Sequence, residues 1–157
     1  MIKIGIITVS DRSFFKKRED LSGPLIRKMI KNLGEVIDYR IVPDERALIS
    51  QAIRKMVDEV KVDLVLTTGG TGPSPRDITP EATRDVIEKE IPGFGEIMRM
   101  EGFKRTPHAI LSRCIAGVRK KSLIVNLPGS PKAVKESLEV IIPVFPHALE
   151  VIRGKNH

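Results

Sequence analysis

The chain has 157 residues, of which 41% are hydrophobic, and its formal net charge is +7. This length allows one domain with a sizeable core, and we expect a single domain over residues 1–157. There is no apolar run of about 18 residues and no secretory pattern before the first strand-like segment, so we expect a cytoplasmic protein that does not cross a membrane. The single cysteine excludes an internal disulfide.

The positive charge raises the question of a nucleic-acid ligand. However, the basic residues are spread along the chain, aromatic residues make up only 4% of it, and tryptophan is absent. Nucleic-acid binding surfaces cluster their basic residues and often stack bases on aromatic rings. We therefore expect no nucleic-acid partner and favour small polyphosphates as ligands. The three histidines have no zinc-site spacing, so any metal would be a hard ion held by carboxylates and phosphates.

The first part of the chain reads as strand, helix and strand. Ile2–Val9 is a nearly continuous apolar run, typical of a strand covered on both faces of a parallel sheet. A polar loop over 14–20 precedes a helix that begins near Ser22 and stops at Gly34. A second strand is predicted over Ile37–Val42.

The second helix is predicted to start directly after this strand, at Asp44. Apolar residues recur at helical spacing from Leu48 to Val60. Asp44 is a natural N-cap for this helix, so capping and a catalytic role are both open for it. It stands just past a strand, where ligands of open parallel α/β sheets bind.

The centre of the chain is a glycine-rich loop after a short apolar strand. Leu64–Leu66 leads into 67–72, which reads TTGGTG, and glycines at a strand's carboxyl end let backbone N–H groups approach a phosphate closely. Thr79-Pro80 reads as an N-cap and a first helical residue, so that a helix N-terminus faces the loop. Asp77 lies on this loop, and a long turn with a turn aspartate is the competing interpretation.

Helices are predicted over Pro80–Lys89 and Phe94–Arg105, and a late strand over Lys121–Leu127. Ser130-Pro131 repeats the pattern of a cap followed by proline. The first turn of the next helix contains Lys132, which is better placed to meet a phosphate than to stabilise the helix.

The helix after Pro131 carries apolar residues from Val134 to Ile142, and Pro143 and Pro146 are expected to break regular structure beyond it. Residues 153–157 are expected to be a frayed tail. Strands alternate with helices along the chain, which predicts an α/β fold with three layers: a mostly parallel central sheet and helices on both faces.

Several motifs together resemble the molybdopterin-binding domain family of molybdenum-cofactor biosynthesis, and within it the Mog-type adenylyltransferases. The resemblance covers nearly the whole chain. The motifs are Ser10-Asp11-Arg12, Pro43-Asp44-Glu45, TTGGTG with Asp77-Ile78-Thr79-Pro80-Glu81, Pro92-Gly93-Phe94-Gly95-Glu96, Ala109-Ile110-Leu111-Ser112-Arg113, and Asn126 to Lys132. Their order along the chain makes the combination more specific than any one motif.

The resemblance implies an enzyme that uses ATP to adenylylate molybdopterin and releases pyrophosphate. It implies a homotrimer, Mg²⁺ as cofactor, and transient contact with the protein that inserts molybdate. Asp44 and Asp77 would be the catalytic carboxylates and would hold Mg²⁺. The residues that would bind nucleotide and pterin are Ser10, Asp11, Thr68, Gly69, Gly70, Thr71, Gly72, Thr79, Pro80, Glu81, Asn126, Pro128, Gly129, Ser130 and Lys132.

Two alternatives stay open from the sequence. A paralogue or scaffold protein of the same pathway could bind molybdopterin without adenylylating it. Residues 14–18 depart from the small residues and glycine common in the family at this place. They are expected to form a solvated loop or to pack on a neighbouring subunit, and contact of Phe14 and Phe15 with a ring of the ligand is the other open possibility.

Overall fold

The computed structural model describes residues 1–155. A six-stranded sheet with the order β2-β1-β3-β6-β5-β4 lies at its centre. The strands are β1 (Ile2–Val9), β2 (Gly34–Val42), β3 (Leu64–Thr68), β4 (Lys89–Glu90), β5 (Ala116–Arg119) and β6 (Ser122–Leu127). The pairs among β2, β1, β3 and β6 are parallel, and β5 pairs antiparallel with β6 and β4. The predicted mostly parallel sheet is confirmed.

Helices cover both faces of this sheet. They are α1 (Asp11–Phe14), α2 (Ser22–Met29), α3 (Arg46–Lys55), α4 (Thr79–Arg84), α5 (Pro92–Phe103), α6 (Pro131–Ile141) and α7 (Phe145–Ile152). A π-helical turn over Met56–Val60 extends α3, and 3-10 turns cover Pro107–Leu111 and Ile142–Val144. Among residues 1–155, no helix combines the length and the apolar character needed to span a bilayer.

The apolar core lies in two clusters, one on each face of the sheet. β1 sends Ile4 and Ile6 into the cluster with α2, α5, α6 and α7, and it sends Ile7 and Val9 into the cluster with α3 and α4. Successive side chains of a strand point to opposite faces, so a strand covered on both sides must be apolar at nearly every position. This is why Ile2–Val9 could be predicted with correct ends.

Several predicted boundaries are wrong. The loop after β1 opens with α1, in which Ser10 is the N-cap and its hydroxyl accepts from the N–H of Ser13 at 3.1 Å. The helix predicted over Pro80–Lys89 ends at Arg84, and the chain returns as the edge strand β4. A two-residue strand is too short to leave a periodic pattern in the sequence.

The carboxyl end of the chain is also more regular than predicted. Pro143 lies in a 3-10 turn, and α7 follows at once with Pro146 in its first turn, where the missing N–H costs nothing. Phe145 is fully buried and stacks on Phe94 at 5.9 Å between ring centroids. Arg153 is ion-paired with Asp63 at 2.9 Å, so the predicted fraying does not begin there, and 156–157 lie outside the described residues.

Candidate functional site

A cleft of about 680 Å³ opens at the carboxyl ends of the parallel strands. The loops after β1, β2, β3 and β6 all contribute to its walls. Its predicted site residues are Ser10, Asp11, Asp44, Thr68, Gly69, Gly70, Asp77, Gly129 and Ser130. Residues far apart in sequence meet here because parallel strands end at the same edge of the sheet, which is where open α/β sheets bind ligands.

Two glycines shape the loop after β3. Gly69 has φ +98° and Gly70 has φ +69°, a region in which side chains are rarely tolerated. A Cβ atom on Gly69 would lie 2.3 Å from the carbonyl oxygen of Val9, and one on Gly70 would lie 2.3 Å from Oγ1 of Thr79. The backbone can therefore pass between β1 and α4 only as glycine. No acceptor among residues 1–155 pairs with the N–H of Gly70, which leaves it free for an anion.

The loops after β3 and β6 are tied together at the floor of the cleft. The Thr68 hydroxyl donates to the carbonyl of Pro128 at 2.6 Å. Gly129 lies next to Gly69, and a Cβ atom on it would make an ordinary van der Waals contact at 3.4 Å from Cα of Gly69. Ser22 at the start of α2 donates to the carbonyl of Gly129 at 2.8 Å. The Thr68 hydroxyl is thus used within the protein and holds the two loops in register.

Asp11 and Asp44 form a reciprocal pair of hydrogen bonds, in which each carboxylate accepts from the backbone N–H of the other residue. The N–H of Asp11 donates to Oδ2 of Asp44 at 2.9 Å, and the N–H of Asp44 donates to Oδ1 of Asp11 at 2.9 Å. The prediction that Asp44 caps the second helix is wrong. Glu45 occupies the N-cap position of α3 and makes no side-chain cap. The Asp44 carboxylate turns instead toward the loop after β1 and lines the cleft.

The two carboxylates have opposite pKa shifts. Burial raises the pKa of Asp44, against the lowering effect of the Asp11 N–H, and the negative charges of Asp11 and Asp77 raise it further. The pKa of Asp11 is lowered, first by the Asp44 N–H and also by Arg76. A cation in the cleft would relieve the repulsion that raises the pKa of Asp44.

Asp77 also lines the cleft, and its side chain shapes its own loop. Its Oδ2 accepts from the N–H of Ser74 at 3.0 Å and from the Ser74 hydroxyl at 2.8 Å. The competing interpretation, a turn aspartate, therefore describes one oxygen of Asp77 correctly. No donor among residues 1–155 reaches Oδ1 of Asp77 or Oδ1 of Asp44.

These two carboxylate oxygens are available as ligands for a metal ion. Mg²⁺ is usually held by one or two carboxylates, with water and substrate phosphates completing an octahedron. Asp44 and Asp77 offer hard donors of this kind. Within the described part of the chain, no group of three or more acidic, histidine or cysteine side chains could hold a metal by itself. The donor set fits an ion that shares its coordination with a phosphate ligand.

Arg113 supports the glycine loop from behind. Its guanidinium donates to the carbonyl of Gly72 at 2.9 Å and to that of Asp77 at 3.0 Å, and it pairs with Glu81. This pairing lowers the pKa of Glu81. The Thr79 hydroxyl donates to the carbonyl of Gly69 at 2.9 Å. Thr79 is the first residue of α4 and Ile78 is its N-cap, so the predicted cap is displaced by one residue.

Asn126 is a structural residue in this geometry. Its side chain is fully buried, and its Nδ2 donates to the hydroxyls of Thr67 and Thr83 at 3.0 and 2.9 Å. Its Oδ1 accepts from the N–H of Ile115 at 3.3 Å. It joins β3, β6, α4 and the segment before β5, and it does not line the cleft.

We expect Asn126→Leu to lower the free energy of unfolding by about 2–3 kcal/mol, since it leaves the buried N–H of Ile115 without an acceptor. Urea denaturation followed by circular dichroism measures this. Unchanged stability together with lost pterin binding would contradict the structural role and place Asn126 in contact with ligand.

Other predicted site residues also lie outside the cleft lining. They are Thr71, Gly72, Thr79, Pro80, Glu81, Pro128 and Lys132. Thr71 and Gly72 belong to the glycine loop itself, and Lys132 is exposed on α6. Thr79, Glu81 and Pro128 take part in the contacts that support the loop. The Ser130 cap is confirmed, since its hydroxyl accepts from the N–H of Ala133 at 3.2 Å.

The sequence predictions did not assign a role to three charged residues that shape this site, two in the cleft lining and one behind the glycine loop. Arg76 pairs with Asp11 across the cleft mouth, and Asp20 accepts from the Thr8 hydroxyl at 2.8 Å and from the N–H of Gly23 at 3.0 Å. Arg113 is the third. Arg113 ends one of the family motifs, and Arg76 directly precedes Asp77, which begins another. A charged residue at the edge of a motif was the signal available for these two.

Comparison with known proteins identifies the same family that the sequence motifs resemble, over nearly the whole chain. A family model described as a probable molybdopterin binding domain matches residues 5–147. The molybdopterin adenylyltransferase of Helicobacter pylori J99 is 51% identical over 156 residues, which cover 98% of this chain and 89% of that protein.

Solved structures agree with the fold. The molybdopterin biosynthesis enzyme MoaB of Thermus thermophilus is similar with a TM-score of 0.92 and 50% identity, over 99% of this chain and 98% of that one. The tungsten cofactor synthesizing protein MoaB of Pyrococcus furiosus is similar with a TM-score of 0.91 and 38% identity, over 98% of both chains.

Proposed function

Because the chain belongs to the molybdopterin-binding domain family, we propose that it is an adenylyltransferase that moves the AMP group of ATP onto the phosphate of molybdopterin. The observation that carries this proposal is the meeting of Asp44, Asp77 and the Gly69-Gly70 turn in one cleft. In the proposed function, residues 1–157 form one molybdopterin-binding domain that acts in molybdenum-cofactor biosynthesis.

The reaction is a phosphoryl-type transfer in which positioning and charge neutralisation supply most of the catalysis. A phosphate oxygen of molybdopterin attacks the α-phosphorus of ATP. The bond from that phosphorus to the bridging oxygen breaks, and its electron pair leaves with pyrophosphate. Backbone N–H groups of Gly70, Gly129 and Ser130 have no acceptor among residues 1–155, and they bind and orient phosphate oxygens.

Asp44 and Asp77 would hold Mg²⁺ through the carboxylate oxygens that lack protein donors. When bound, the ion neutralises phosphate charge and supports departure of pyrophosphate. Asp11 orients Asp44 through its N–H, and Ser10 begins the helix that presents Asp11. Lys132 stands outside the cleft lining and attracts anions toward it from α6.

The active form is a homotrimer in the cytoplasm that passes its product to the molybdate-insertion protein by transient contact. Exposed apolar residues support a subunit contact on α5 and the neighbouring 3-10 turn. Met100, Phe103, Ile110 and Leu111 are 64%, 53%, 63% and 52% exposed. Light scattering on the purified chain tests this state, and a monomer at micromolar concentration would contradict it.

The function is tested by pyrophosphate release from ATP on addition of molybdopterin and Mg²⁺. We expect release only when all three components are present. Pterin binding is measured in parallel by titration. No release, with pterin still bound, would overturn the adenylyltransferase and leave a molybdopterin-binding paralogue or scaffold of the same pathway.

A further inference from the structure

Arg76 lines the mouth of the cleft. It precedes the proposed catalytic residue Asp77 in the chain, and it forms an ion pair with Asp11 across the opening. Its Nε lies 3.1 Å from Oδ2 of Asp11 and its Nη2 lies 3.0 Å from Oδ1 of the same carboxylate. The side chain is 61% exposed. Asp11 accepts every hydrogen bond that this guanidinium donates within residues 1–155. The contact joins the loop after β1 to the loop after β3.

The cleft has a surplus of negative charge for a site that receives two anionic substrates. Its lining has five carboxylates and three guanidinium groups, contributed by Asp11, Glu19, Asp20, Asp44 and Asp77 and by Arg12, Arg18 and Arg76. The bound cation of the proposed reaction offsets part of this. The protein must provide further positive charge at the phosphates, since phosphoryl transfer depends on neutralising them.

Arg76 is better placed for this than the other two arginines. It is covalently next to Asp77, and its charge acts on Asp44 as well as on Asp11. Arg12 and Arg18 are exposed on the segment after β1, whereas the charge of Arg76 lowers the pKa of Asp44.

The pairing with Asp11 is easily exchanged. Ion pairs between exposed side chains contribute little to stability, so that breaking one costs little. The planar fork of arginine binds phosphate oxygens in the same bidentate way as a carboxylate. Asp11 would stay in place without Arg76, because the N–H of Asp44 still donates to its Oδ1 at 2.9 Å.

We infer that Arg76 leaves Asp11 when nucleotide enters and binds oxygens of the triphosphate chain, where it stabilises the pyrophosphate that departs. This inference rests on the proposed function. In the reaction, the bond between the α-phosphorus and the bridging oxygen breaks, and the electron pair stays on that oxygen. The charge that develops on pyrophosphate is met by the guanidinium, which stays protonated throughout.

The first measurement is calorimetric binding of inorganic pyrophosphate, with Mg²⁺, to the full chain. We expect Arg76→Gln to weaken binding about 10- to 100-fold, the range for loss of a charge-assisted bidentate contact, and Arg76→Lys to restore part of it. Arg46→Gln is the matched control, because Arg46 makes a bidentate contact with Asp85 at 2.7 and 2.8 Å and is 53% exposed. Arg46 does not line the cleft.

Asp11→Asn separates partner exchange from simple electrostatics. It keeps an oxygen for the N–H of Asp44 but removes the charge that holds Arg76, so we expect tighter pyrophosphate binding. Loss of the Asp11 charge gives part of this gain by itself, since it reduces the negative charge of the cleft. The gain must therefore be larger with Arg76 present than in the variant that combines Asp11→Asn with Arg76→Gln. A gain of equal size with and without Arg76 would overturn the inference, as would Arg76→Gln binding pyrophosphate like Arg46→Gln.

Comparing the binding of molybdopterin and of pyrophosphate to Arg76→Gln shows which phosphate group Arg76 contacts. Binding of pyrophosphate and its release from ATP are separate measurements, so this inference and the proposed function can fail independently. Weaker binding of molybdopterin but not of pyrophosphate in Arg76→Gln would contradict contact with the triphosphate. Pyrophosphate binding can be lost in Arg76→Gln even if wild-type protein releases none from ATP. That result would retain the arginine site and overturn only the adenylyl transfer.

Discussion

Asp77→Asn is expected to reduce pyrophosphate release about 10²- to 10³-fold, the usual cost of removing one preorganised charged group from a transition state. The fold should survive. One amide oxygen can accept from the N–H and hydroxyl of Ser74 as Oδ2 of Asp77 does now. The substitution replaces Oδ1 of Asp77 and removes the negative charge of the carboxylate. In the proposed mechanism this charged oxygen is a ligand of the cation. Steady-state assays with varied Mg²⁺ measure this, and the concentration for half-maximal rate should rise.

Asp38→Asn is the control for this variant. Asp38 is on β2, pairs with Arg40 at 3.0 Å, and does not line the cleft. Its rate and Mg²⁺ dependence should match those of wild type. A normal rate in Asp77→Asn would reduce Asp77 to the turn aspartate that its contacts with Ser74 describe, and the catalytic assignment would fail.

The fold could be predicted from sequence where burial or capping leaves a local pattern. β1 needs apolar residues on both faces, and its limits follow from the composition of eight consecutive residues. Ser130 and Pro131 mark the start of α6 because their chemistry suits that one position. β4 has only two residues, and α7 begins between two prolines and contains the second of them in its first turn. Neither element leaves a clear local pattern, so the packing of the folded domain decides both.

The candidate site was predictable to the level of its loops. The glycines after β3 and the aspartates after β2 and β3 stand in the sequence at strand ends, and parallel topology brings strand ends together. The partners were not predictable. Arg76 and Asp11 are 65 residues apart, and a pair of this kind leaves no periodic signal. Local capping rules favoured a helix cap for Asp44, but the N–H of Asp11, 33 residues away, takes its carboxylate.

Asp44→Asn is expected to lose pyrophosphate release by a similar factor of about 10²–10³ while the fold becomes no less stable. A helix cap would predict the reverse, a loss of about 1 kcal/mol in the free energy of unfolding with activity retained. The structure favours the first outcome, since the asparagine oxygen can still accept from the N–H of Asp11. The substitution also removes a charge that burial, Asp11 and Asp77 all disfavour.

The pH dependence of stability distinguishes these roles further. The pKa of Asp44 is raised in the folded protein, so the stabilising effect of protonated Asp44 is complete below its unfolded-state pKa and is lost as pH rises through the folded-state pKa. Wild type and Asp44→Asn should therefore have similar thermal stability in acid, and the variant should be the more stable at neutral pH.

Mg²⁺ with ATP should stabilise wild type at neutral pH and progressively less as Asp44 becomes protonated, because the ion binds the carboxylate form. Asp44→Asn should lack this pH-dependent part of the stabilisation, and thermal shifts that follow wild type at every pH would exclude Asp44 from the ion's ligands.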